Sequence, residues 1–169
     1  MLEVDSSQLI NLAFEAGLMS FRILLEFLGL SEGKGELIKK SRHGNDFGIE
    51  KVKVNEDWLP ITDPTLIRNI LTLNVDGYDI DFYRHTVYVA KRASTSSGHL
   101  VMTAKLSHWP ECYFTSLALR AMVQVFLYDK LGLPEPTMGI WSSQLLHKDI
   151  LASHRAKYAQ VYAHVKTYL

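Results

Sequence analysis

Apolar residues return at helical spacing along most of this chain, and the few polar positions that interrupt them are as informative as the apolar ones. In "LINLAFEAGLMSFRILLEFLGL", residues 9–30, the polar positions Asn11, Glu15, Arg22 and Glu26 recur at intervals of four or seven. They therefore form one narrow stripe on a helix whose remaining circumference is apolar. Asp5 with Gln8 three residues on has the spacing of a capping box, and "SEGKG" at 31–35 stops the helix. A helix apolar over so wide an arc is buried on more than one side, either centrally in a bundle or in a subunit interface.

Residues 31–62 lose this periodicity and carry four glycines in the stretch "SEGKGELIKKSRHGNDFGIE", followed by "KVKVNEDWLP". An irregular excursion is expected there, with a short extended segment at "KVKV". "TDPTLIRNILTL" predicts a short helix capped by Thr62 or Asp63, with Pro64 in its first turn. "NVDGYDID" predicts a turn. "CYFTSLALRAMVQVFLYDKLGLP" is again apolar nearly all round, with Arg120 and Gln124 as its main polar pair, and ends at Gly132 and Pro134. The C-terminal "SSQLLHKDILASHRAKYAQVYAHVKTYL" places Leu151, Tyr158, Val161, Tyr162, Val165 and Leu169 at helical spacing.

The remaining segment contains "VAKRASTSSGHLV", whose small residues are poorer helix formers than Ala. With Arg92 as zero and 100° per residue, Tyr83, Val87, Ala90, Ser94 and Val101 fall between about 160° and 220°, an inward face passing through the serines. His85, Arg92 and His99 fall within about 20° of zero on the opposite side. One helix from about Asp79 to Leu106 is therefore expected, its small residues offering close approach to a neighbour. The sum is an all-α fold: a single domain over 1–169, a bundle of four long helices plus one short helix.

Charge and composition narrow the partners. Eighteen basic residues balance eighteen acidic ones, whereas nucleic-acid binders usually present a basic surface. Cys112 is the only cysteine, which excludes an internal disulfide and a multi-cysteine metal site. The start "MLEVDSSQ" is polar and acidic, unlike a signal peptide. Ionised groups within 9–30 make a membrane span costly. A cytoplasmic protein with no membrane association is expected.

Catalytic motifs are scarce. His85 and His99 stand about 21 Å apart along a helix axis, and seven-residue histidine spacings span about 10.5 Å, whereas a helical zinc pair sits four residues apart. "GKGE" at 33–36 lacks the rest of a phosphate-binding loop. No metal and no cofactor are expected.

Two stretches carry a family resemblance. "AGLMSFRILLEFLGL" sets an Arg and then an acidic residue before "FLGL" in an apolar helix, and "VAKRASTSSGHLV" places Arg92 and His99 in an Arg-x6-His arrangement. In these the chain resembles the HEPN superfamily of small α-helical bundles, particularly its bacterial HEPN-like branches. Ala93 stands where the nucleases of that family often carry Asn, Asp or His after the Arg. The resemblance implies a homodimer and two alternatives. One is a dimerisation or protein-interaction module, with a protein partner of antitoxin type. The other is a metal-independent endoribonuclease acting on RNA. In it Arg92 and His99 of both subunits would be catalytic, with His85, Thr95 and Ser96 as supporting neighbours. There the His would move a proton at the 2′-hydroxyl or leaving group, and the Arg would stabilise charge on the phosphate.

Overall fold

The computed structural model describes residues 6–40, 44–75, 78–96, 109–134 and 148–168. Within these, only the backbone is described for 6–15, 73–75, 78–80, 95–96, 109–112 and 149–151. The helices are α1 (Ser6–Phe27), α2 (Pro64–Ile70), α3 (Phe82–Ser96), α4 (Trp109–Val123) and α5 (Lys148–Lys166). A π-helical turn, Gln124–Tyr128, continues α4, with the Asp129 N–H donating to the Gln124 carbonyl at 2.8 Å.

The all-α expectation is corrected. Among the described residues six short strands form three two-stranded antiparallel hairpins: β1 (Leu30–Gly33) with β2 (Glu36–Lys39), β3 (Lys53–Val54) with β4 (Asp57–Trp58), and β5 (Thr72–Val75) with β6 (Tyr78–Asp81). Two of them occupy the segment expected to be irregular, and the strands of the third flank the turn expected at "NVDGYDID", whose residues 76–77 lie outside the described residues. Each strand has two to four residues, too few for period-two alternation to register. The turns themselves are local and specific. Lys34 and Gly35 have φ of 55° and 82°, and Asn55 and Glu56 have 50° and 74°. Two consecutive left-handed residues match the right-handed twist of paired strands in a tight hairpin.

The longer elements begin and end where side chains satisfy exposed backbone groups. Asp63, not Thr62, caps α2, its carboxylate accepting from the Thr65 N–H at 2.9 Å, with Pro64 at the first helical position. α3 begins at Phe82 rather than Asp79, with Asp81 accepting from the Arg84 N–H at 2.7 Å. Residues 97–106 of the expected helix lie outside the described residues. α1 gives way to β1 through Gly29 in the left-handed region, φ 85°. A Cβ there would collide with the Ile61 side chain. The Leu28 carbonyl beside it accepts from the Thr62 N–H at 3.2 Å. Gly132, φ 66°, ends the α4 region where the sequence places the stop.

Helix α4 is the central element, packed against α1, α3 and α5. Leu117, Ala118, Ala121, Met122 and Val125 are all but inaccessible on several of its sides. The β1–β2 hairpin packs against α1 and α3: Leu30 and Leu37 are buried, and the Leu37 N–H donates to the Tyr83 hydroxyl at 3.0 Å. The buried side of α3 is Phe82, Thr86, Val89 and Ala93, together with Val87 and Ala90. Its centre is rotated about 70° from the face the periodicity gave, and Ser94 is exposed. Thr86 returns its hydroxyl to the Phe82 carbonyl at 2.7 Å, so it is buried without an open polar group.

Candidate functional site

The residues expected to carry chemistry on α3 separate on closer view. Arg92 is exposed, with its guanidinium over the Tyr88 ring at 6.0 Å from the centroid. His85 is half-buried and stacked on Phe114 of α4, ring centroids 5.9 Å apart. Because the buried face is turned toward Phe82 and Val89, His85 lies at its edge while Arg92 points away. Thr95 and Ser96 stand in the last turn of α3, and their side chains are outside the described residues. So is all of His99, and the Arg92–His99 pair with it.

A second basic and aromatic cluster lies between α4 and α5. Tyr113 meets Phe114 edge-on at 5.3 Å and His154 at 5.6 Å, and the Arg120 guanidinium sits 4.2 Å from the Tyr158 ring centroid. Burial, and then the charge of Arg120, hold His154 below its ordinary histidine value and favour its neutral imidazole. The sequence singles out Arg120 but gives no sign of His154, because the two come together only when α5 packs on α4. Among the described residues no group of three His, Cys, Asp or Glu side chains stands together to hold a metal ion.

The third feature is the outer face of α1. Ala16, Gly17, Met19, Ser20, Ile23 and Leu24 are all exposed, Ile23 at 62% and Met19 and Leu24 at 41% each. With Ser20 as zero they lie between about −100° and +60°, a continuous arc containing no charged residue. Phe27 extends the arc and stacks on Phe47, centroids 5.9 Å apart, Phe47 itself being 69% exposed. The opposite face, with Leu18, Phe21 and Leu25, is buried in the core. Arg22 and Glu26 flank the arc as an ion pair at 2.8 Å, and Lys40 joins Glu26 from the other side. These charges are satisfied by one another at the border of the apolar face.

Alongside this face runs a cleft of about 400 Å³ between α1 and α4. Gly17, Ser20, Phe21 and Leu24 form one wall, and Ser116, Leu119, Arg120 and Val123 stand among the residues of the other. The Ser20 and Ser116 hydroxyls donate to their own helices, to the Ala16 and Tyr113 carbonyls at 2.9 and 2.7 Å. The wall is thus less polar than its composition suggests. Of the sequence's two settings for α1, the centre of a bundle is taken by α4, and α1 is left with an uncovered apolar side.

No helix among the described residues is long and apolar enough to cross a membrane. No family model, curated protein or solved structure matches the chain.

Proposed function

We propose that the chain is a HEPN-like helical module whose role is to pair with a second copy of itself through the outer face of α1. The observation that carries this reading is the uncharged exposed arc from Ala16 to Leu24, extended by Phe27 and Phe47. Contiguous exposed apolar surface bordered by charge is the mark of an interaction site. An arc without charge meets its own copy with no like-charge penalty, as a twofold interface requires.

The test is the molar mass in solution, by light scattering across a wide concentration range, of the wild type and Ile23→Glu. The wild type is expected as a dimer and Ile23→Glu as a monomer of unchanged helicity, since Ile23 makes no part of the core. A wild type that stays monomeric, or a dimer indifferent to Ile23→Glu, sinks the reading.

The second reading is a metal-independent endoribonuclease using Arg92 and His99. What favours it is the exposed guanidinium of Arg92 on α3, reachable by a phosphate. It is tested by RNA cleavage in EDTA with wild type, Arg92→Ala and His99→Ala. Equal background activity in all three ends it.

A further inference from the structure

We infer that the second copy docks antiparallel on α1, with the large side chains at one end of the arc seated in the small-residue notch at the other. This rests on the dimer reading above and adds its register. Along α1 the exposed arc changes size. Ala16, Gly17 and Ser20 at its centre are small, with Met19 at its margin, and Ile23 and Leu24, about one turn further on, are large.

Geometry then selects the orientation. Relative to Ser20, Leu24 lies about 6 Å up the axis at +40° and Gly17 about 4.5 Å down at +60°. Ile23 lies about 4.5 Å up at −60° and Ala16 about 6 Å down at −40°. A twofold axis lying in the interface at Ser20, perpendicular to the helix, reverses height and keeps the lateral side. It brings Leu24 of each copy onto Gly17 of the other, Ile23 onto Ala16, and Ser20 against Ser20. A parallel pairing keeps height instead, crowding the large residues together and leaving the notch facing a notch.

Two features of the protomer agree. A Cβ added at Gly17 would meet nothing within 4 Å, so packing within the protomer does not require glycine at a position where it weakens the helix. Gly17 and Leu24 both line the α1–α4 cleft, which gives the incoming Leu24 depth beside the notch. Arg22 and Glu26, paired with each other and with Lys40, stay at the border of the seam.

Site-directed disulfides under mild oxidation, with the linked peptides mapped by mass spectrometry so that Cys112 is told apart, test the register. Ser20→Cys is expected to link to its own copy. A mixture of Gly17→Cys and Leu24→Cys proteins is expected to link position 17 to position 24, with neither protein linking to itself at those sites. Gly17→Leu, whose Cβ meets nothing within the protomer but whose side chain fills the notch, is expected to lose the dimer while keeping its helicity. Self-linking of Gly17→Cys or of Leu24→Cys, or a dimer that tolerates Gly17→Leu, overturns the antiparallel register. If Ile23→Glu still breaks that dimer, the failure belongs to the register and the α1 interface stands. If the wild type is monomeric, the interface itself has failed.

Discussion

Asp129, just past the π-helical turn, is the place where one substitution reports on how α5 is held to α4. Its carboxylate accepts from the Gln124 side-chain amide through Oδ1 at 2.7 Å and from the Tyr162 hydroxyl through Oδ2 at 2.8 Å. Lys166 lies behind, its Nζ 3.4 Å from the same hydroxyl. Hydrogen bonds to a charged group contribute about 1.5–3 kcal/mol each, toward the lower value where the group is partly solvated. Asp129 is half-buried, so Tyr162→Phe is expected to cost about 1–1.5 kcal/mol. Asp129→Ala removes both bonds and strands the Gln124 amide, which is only 6% exposed, for a total of about 3 kcal/mol. In a chain of this length that corresponds to a fall in melting temperature of roughly 6–12 °C. Urea unfolding of the wild type, both single variants and the double variant closes the cycle. In the Asp129→Ala background Tyr162→Phe has no acceptor to lose and is expected to cost almost nothing, a coupling of about 1 kcal/mol. Adding Gln124→Met to Asp129→Ala removes the stranded amide and is expected to recover part of the loss. The reasoning is refuted if Asp129→Ala lies within about 0.5 kcal/mol of wild type, or if the two substitutions simply add.

Other consequences are separable. Gly29→Ala forces a Cβ into Ile61 at a left-handed position, and a loss of about 2–4 kcal/mol is expected in urea unfolding; an unchanged midpoint would contradict the tight α1–β1 turn. Asp63→Ala removes the cap of α2 and is expected to cost about 1 kcal/mol, with Asp63→Asn nearly neutral by the same assay. Burial alone would raise the Glu26 carboxyl, but the hydrogen bonds and charges of Lys40 and Arg22 outweigh it and hold it below its ordinary 4.5. The stability it contributes is therefore complete above that value and lost as pH falls through the folded one. The gap in stability between wild type and Glu26→Gln should close on acidification, and a constant gap would refute the assignment. His154, held below 6.5 by burial and then by Arg120, acts in the same direction. Its contribution is full above the unfolded value and is lost as pH falls below it. The NMR titration midpoint of His154 should rise in Arg120→Met, and a fixed midpoint would remove Arg120 as a cause.

Legibility from the sequence follows the range of the interaction. Capping at Asp63 and Pro64, the stop at Gly132 and the long apolar helices are set within a few residues, so pattern and residue chemistry reveal them directly. The hairpins are also local, but their strands are too short to display a period. In β1–β2 and β3–β4 it is the left-handed pairs Lys34–Gly35 and Asn55–Glu56 that turn the chain back. The candidate sites are less legible again. Arg120 and His154 belong to different helices, and nothing near either in sequence marks the other.

What the sequence determined by itself is where the chain coils into helices and which residues are apolar, because a repeat of 3.6 residues is written in consecutive positions. Which apolar face is covered is a property of neighbours distant in sequence, and only the tertiary structure decided it. Two helices, α1 and α4, read alike as apolar nearly all round. Packing by α1, α3 and α5 enclosed α4, whereas α1 was left with Met19, Ile23 and Leu24 exposed. The same packing turned the buried side of α3 about 70°, toward Phe82 and Val89, leaving His85 against Phe114 and Arg92 in the open. Burial depends on what arrives opposite a face, and no periodicity within one helix carries that information.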